Sequence, residues 1–211
     1  MVGSIFRMFN KEIGGIHQAA YILAGFTLLS QVLALVRDRM LAHVFGAGAS
    51  LDVYYAAFRI PDLVLVSVAS ILSVSVLVPF LSQKMQTGGK EEARRLVESL
   101  IYFFLVSIIL VSVVLFLLLP LIQPMLFPGF NEQEMGVLIK ISRILLLSPI
   151  ILGLSNIFGG INQTFKKFFV YAASPVLYNI GIIIGIIFLQ EKLGIVGVVY
   201  GVIFGALLHL A

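Results

Sequence analysis

Cysteine is absent from all 211 residues, which excludes a disulfide framework and any thiolate metal site and leaves redox chemistry without its usual side chain. Charge is almost as scarce. Only 11% of the residues are Asp, Glu, Lys or Arg and 60% are hydrophobic, whereas a soluble domain carries about 25% charged residues. That balance excludes an ordinary water-soluble fold and describes an integral membrane protein. Histidine is confined to His17, His43 and His209, too far apart to have metal-ligand spacing. No nucleophile, base and orienting acid can be picked out as a set, so the chain does not read as an enzyme and no cofactor is expected. The stretch TGGKEEARR at 87–95 lacks the spacing and the following Ser or Thr of a phosphate-binding loop and reads as an exposed turn into a helix. The net charge of +4 does not point to nucleic acid, because the basic residues lie in short loops between apolar runs instead of on one water-exposed face.

What the sequence does contain is long apolar runs. Six approach the roughly 20 residues needed to cross a bilayer, at about 18–44, 56–81, 98–122, 136–161, 171–189 and 193–210. The expected fold is therefore all-α, a six-helix transmembrane lobe over 18–211. It is preceded by an amphipathic segment at 1–17 that mixes Ile5, Phe6, Phe9 and Ile13 with Arg7, Lys11 and Glu12 and suits the inner membrane surface. Ala47-Gly48-Ala49 resembles a signal-peptidase site, but Arg37, Asp38 and Arg39 occupy the region that should be neutral, so the first span is read as retained. Orientation follows from the basic residues. With the N-terminus cytoplasmic, Arg7, Lys11, Lys84, Lys90, Arg94, Arg95, Lys166 and Lys167 fall inside and only Lys192 outside. The segment from Pro120 to Glu134, with Glu132 and Glu134 and no Lys or Arg, reads as an external loop.

Small and polar residues are placed with helical spacing. Ala20, Ala24, Thr27, Gln31, Ala34 and Asp38 share one face of the first span, with Ser30 and Arg37 seven apart on the adjoining strip. Gly181 and Gly185 in the fifth span, and Gly197, Gly201 and Gly205 in the sixth, suit close helix packing. Packing does not require arginine. Intramembrane ionisable groups generally face a bundle interior or a watery cavity, yet Arg37 and Arg39 also lie where they can snorkel to the outer interface with Asp38 and Asp52 as partners. Helix length leaves both readings open, since Arg37 is about 30 Å along a helix that starts near His17.

Several blocks carry a family resemblance: SQVLALVRD at 30–38, VFGAG at 44–48, LDVYYAAFRIPD at 51–62, Val78-Pro79, PGF at 128–130, GIN at 160–162 and SPVLYN at 174–179. In order along nearly the whole chain, they resemble the MurJ/MviN family of lipid II flippases in the MOP transporter superfamily. The resemblance implies a two-lobe transporter that moves a polyprenyl-pyrophosphate-linked peptidoglycan precursor outward across the bacterial inner membrane by alternating access. These residues would then be its N-terminal lobe, with the precursor, membrane lipid and the C-terminal lobe of the same chain as partners. Where the family has Arg after the Ser of the first block this chain has Gln31, and its Arg-Arg pair and Ala-Glu-Gly-Ala stretch are replaced by Leu65-Val66 and by residues 69–72 around Ser70.

The substrate-binding set expected on this basis is Arg37, Asp38, Asp52, Arg59, Ser30, Gln31 and Asn162. Arg37 leads it because a guanidinium stays charged and presents a planar fork that matches phosphate oxygens. Asp38 and Asp52 would hold or pair with it, Ser30 and Gln31 would hydrogen-bond the headgroup, and Arg59 is a basic residue the resemblance places in the cavity. Competing readings are another exporter of the superfamily, for lipid-linked polysaccharide or a small substrate, and a non-transporting membrane scaffold.

Overall fold

A chain with this many apolar residues has to satisfy its backbone internally wherever water is excluded, and helices do so within each segment. The computed structural model describes residues 15–71 and 74–211, which are helical with short connections. The helices are α1 (Ile16–Phe45), α2 (Ala49–Ile71), α3 (Val74–Thr87), α4 (Gly89–Leu126), α5 (Glu132–Leu145), α6 (Leu147–Thr164) and α7 (Phe168–Ile184). A π-helical turn over Gly185–Leu189 leads from α7 into α8 (Gln190–Leu193), and α9 (Ile195–Leu210) follows. The amphipathic segment expected at 1–17 falls almost wholly on residues 1–14, outside the described residues.

Among the described residues, four helices are long and apolar enough to cross a membrane: His17–Phe45, Gly89–Leu126, Glu132–Thr164 and Phe168–Leu193. This differs from the six spans expected. The run at 56–81 falls on α2 and α3, and residues 72–73 between them lie outside the described residues. The run at 193–210 forms α9, whose 16 residues cover about 24 Å at a 1.5 Å rise, short of a hydrocarbon core of about 30 Å. The bilayer-facing character is plain on α4, where Tyr102, Leu110, Leu117 and Leu121 are each more than 60% exposed.

The expected loop at 120–134 is a correction. α4 runs through Pro120 and Pro124 to Leu126, and α5 begins at Glu132 behind a capping box. There the Asn131 side chain accepts from the Glu134 N–H at 2.9 Å and the Glu134 carboxylate accepts from the Asn131 N–H at 2.9 Å. Glu132 and Glu134 are thus first-turn helix residues, where negative charge suits the helix dipole.

Proline inside a helix leaves the carbonyl four residues earlier without its N–H, and neighbours on α5 supply two of the missing donors. Pro61 releases the Ala57 carbonyl, which accepts from the Ser142 hydroxyl at 3.3 Å. Pro120 releases the Phe116 carbonyl, which accepts from Arg143 Nε at 3.2 Å. The Gln123 amide in turn donates to Ser142 Oγ at 2.6 Å.

The core gathers at the end of the bundle where α1 passes into α2. Leu41, Leu51, Val53, Ile141, Ile182 and Val198, from five helices, pack together there. α7 and α9 meet through interleaved glycines. A Cβ on Gly185 would lie 2.5 Å from the Gly201 Cα, and one on Gly181 would collide with Gly205, so only glycine permits this approach. α1 packs along α7 and meets α2 sparingly, which leaves a gap between α1 and α2.

A polar cleft between α1, α2 and α7

The gap is where the intramembrane charges lie. It has two compartments that share Arg37 and Tyr178. One, of about 500 Å³, is lined by Arg37, Tyr54, Tyr55, Arg59, Asp62 and Tyr178. The other, of about 340 Å³, is lined by Ser30, Gln31, Arg37, Asn156, Asn179 and His209, among others.

Arg37 is at the divide and its fork is engaged on both sides. Nε and Nη2 donate to Asp38 Oδ1 at 2.9 and 2.8 Å, and Nη1 donates to Asn179 Oδ1 at 2.9 Å. Successive helix residues diverge by about 100°, so the pair forms because the arginine is long enough to reach round the helix. Asn179 is only 5% exposed, and its amide donates to the Ser30 hydroxyl at 3.0 Å, the Ser30 carbonyl at 3.3 Å and the Pro175 carbonyl at 3.1 Å. One buried amide therefore joins α1 to α7 and orients the guanidinium. Asp38 is the more open partner, its side chain 45% exposed against 21% for Arg37.

Of the seven residues expected to bind substrate, Arg37, Ser30, Gln31 and Arg59 line the cleft, and Asp38 pairs with Arg37. Asp52 does not. It is exposed in the first turn of α2, lines neither compartment, and makes no ion pair among the described residues. Asn162 is also outside, six residues beyond Asn156 on α6, about 9 Å along the helix axis. The expected partnership of Asp52 with Arg37 is not formed: Asp52 is exposed, two residues or about half a turn before Tyr54, where the cleft lining on α2 begins.

Sequence reasoning missed Asn179, Tyr178, Tyr54, Tyr55 and Asp62. Asn179 carried a usable signal, since it is the lone amide in the apolar run of α7, and a polar residue in such a run calls for a partner. The tyrosines carried none, because an aromatic at helical spacing serves equally in a core. His209 faces the second compartment and its ring contacts the Ser155 hydroxyl at 2.7 Å through Nδ1. An arrangement of this kind can hold an anionic group against the guanidinium and surround it with neutral hydrogen-bonding side chains.

A family model described as lipid II flippase MurJ matches residues 41–211. Lipid II flippase MurJ of Burkholderia cenocepacia is 27% identical over 196 residues, 91% of this chain and 38% of its own length. Lipid II flippase MurJ of Thermosipho africanus is 34% identical over 184 residues, 86% of this chain and 37% of its own length. A solved structure of lipid II flippase MurJ in an inward closed conformation matches with a TM-score of 0.75 and 27% identity, over 90% of this chain and 40% of that one. The chain therefore spans about two-fifths of the length of the proteins it resembles.

Proposed function

The chain belongs to the lipid II flippase MurJ family, and from that premise we propose that it is a lobe of a flippase for a polyprenyl-pyrophosphate-linked peptidoglycan precursor. It resides in the bacterial inner membrane with its N-terminus in the cytoplasm and works by alternating access against a second lobe. It moves its cargo without making or breaking a bond, so it is not an enzyme.

The observation that carries this reading is Arg37, a guanidinium at the divide of an intramembrane cleft, fixed on one side by a buried amide and paired on the other with a half-exposed carboxylate. Asn179 keeps the fork in place while a phosphate oxygen displaces Asp38 from Nε and Nη2, exchanging one charge-assisted pair for another. Asp38 thus neutralises the arginine in the empty cleft and yields to the diphosphate. Arg59 and Asp62 stand on the wall of the same compartment, and Ser30, Gln31 and Asn156 offer neutral hydrogen bonds in the other.

The test is made in the protein expressed from its own gene, reading accessibility of the precursor headgroup on the outer leaflet. Arg37→Ala lowers flipping at least tenfold at equal protein level. Arg37→Lys restores only part of it, because a point charge cannot reproduce the bidentate fork. Normal flipping by Arg37→Ala at normal protein level would overturn the reading.

A further inference from the structure

The second compartment of the cleft, about 340 Å³, has no carboxylate in its lining, and Arg37 at the divide is its only permanently charged side chain. Small-molecule sites run from about 300 Å³ upward, so it has room for a group of ring size. His209 is the residue of this wall whose hydrogens can be counted. Ser155, buried on α6, places its Oγ 2.7 Å from His209 Nδ1 and 2.8 Å from the His209 carbonyl oxygen. A serine hydroxyl has one proton. The carbonyl oxygen can only accept, so the proton goes there and Oγ accepts from Nδ1–H. In the neutral ring a proton on Nδ1 leaves Nε2 as a bare acceptor. An edge-on contact with Tyr178, ring centroids 6.3 Å apart, supports the same orientation.

Nε2 has no partner among the described residues, yet it keeps accessible surface on a side chain that lines the compartment. Gln31 on α1 and Asn156 on α6 line the same space, and neither side-chain amide has a hydrogen-bond partner among the described residues. Three uncommitted polar groups from three helices therefore surround one small volume beside the guanidinium.

From this arrangement we infer that His209 is a specificity-determining residue, whose Nε2 accepts a hydroxyl or amide hydrogen from the sugar that the cargo carries next to its diphosphate. The inference rests on the diphosphate reading of Arg37 and adds to it what the second compartment holds. Both compartments share Arg37, so an occupant of the second is the group joined directly to the anion on the guanidinium. A further anion does not fit, because Nε2 offers it a lone pair instead of a proton. A hydrocarbon tail would leave the ring nitrogen and both amides unpaired. A sugar supplies the missing partners, with hydroxyl hydrogens for Nε2 and hydroxyls that both donate and accept for Gln31 and Asn156. A site built to bond such a donor discriminates against the analogue that lacks it.

The experiment measures lipid binding to the whole protein in detergent at about pH 8, where an imidazole is ordinarily neutral. The probes are a polyprenyl diphosphate and the same lipid carrying one N-acetylhexosamine on its diphosphate. Wild-type protein binds the glycosylated lipid about tenfold more tightly. Two variants separate recognition from support, because an asparagine amide reaches the place of Nδ1 and a glutamine amide the place of Nε2. His209→Asn keeps the donor to Ser155 but loses the acceptor in the cleft, and the preference falls to twofold or less. His209→Gln gives up the Ser155 contact but returns an accepting oxygen to the cleft, and a preference of at least fivefold remains. A histidine that only supports the helix packing gives the opposite order. Equal binding of the two lipids by the wild type, a preference retained by His209→Asn, or one lost by His209→Gln would each overturn the inference. Arg37→Ala tests the underlying reading separately, since it weakens binding of both lipids at least tenfold; unchanged binding of both would overturn the diphosphate site itself.

Discussion

Asn179 contributes through its number of partners. A buried amide with one accepting carbonyl oxygen and two donating N–H functions can join an arginine, a hydroxyl and the Pro175 carbonyl at once, and here it does. Replacing it with leucine keeps the approximate volume but strands the Ser30 hydroxyl and one edge of the guanidinium. The expected loss is about 1–3 kcal/mol of stability, measured by thermal unfolding in detergent, together with reduced flipping as Arg37 loses its fixed orientation. An Asn179→Leu protein with unchanged melting and activity would show that Asp38 alone positions the arginine. At this scale charge was the stronger signal in the sequence and the lone amide of α7 a weaker one that went unused. Arg37 stood out because an ionised group in an apolar run has few explanations, whereas Asn179 came in a run whose glycines were already accounted for by packing.

Helices α2 and α4 each carry proline well inside their length and still continue, because α5 answers the released carbonyls with Ser142 and Arg143. That is why the segment beginning at Pro120 misled local reasoning. A proline's effect depends on whether a donor from elsewhere reaches the orphan carbonyl, and this donor comes from a residue 27 positions away in the chain. The apolar runs themselves were legible because hydropathy is a local property, and so was the glycine spacing of α7 and α9, which the structure interleaves. The Ser142 contact can be tested by a double-mutant cycle. Ser142→Ala alone is expected to cost about 1–3 kcal/mol, since it strands the Ala57 carbonyl and the Gln123 amide. In a Pro61→Ala background the backbone N–H of residue 61 can return to the Ala57 carbonyl, so the same change costs less, with a coupling of at least about 0.5 kcal/mol. Strict additivity in chemical denaturation would mean that Ser142 and Pro61 act independently.

The whole molecule is asymmetric in a way that ties the cleft to membrane orientation. The apolar cluster around Leu41, Leu51 and Ile141 closes the bundle where α1 passes into α2 and where α5 starts, while the neutral compartment of the cleft lies toward the other end, at Ser30, Asn156 and His209. If the basic segments at 84–95 and 165–167 face the cytoplasm, the closed end is external and the cleft opens toward the cytoplasm, as the proposed function requires. Orientation is therefore part of the mechanism, and the absence of cysteine makes it directly measurable. Single cysteines at Gly129, in the α4–α5 connection, and at Glu191, on the short helix α8, both exposed, should react with an impermeant maleimide added to intact spheroplasts. Lys90 and Phe165, exposed at the opposite end, should react only after the membrane is opened. These four sites avoid Gly89, whose φ of 73° would strain a cysteine, and Asn131, whose side chain caps α5. The reverse labelling pattern would put the closed end of the cleft toward the cytoplasm, and an arginine placed to receive a cytoplasmic diphosphate would then be on the wrong side of the seal.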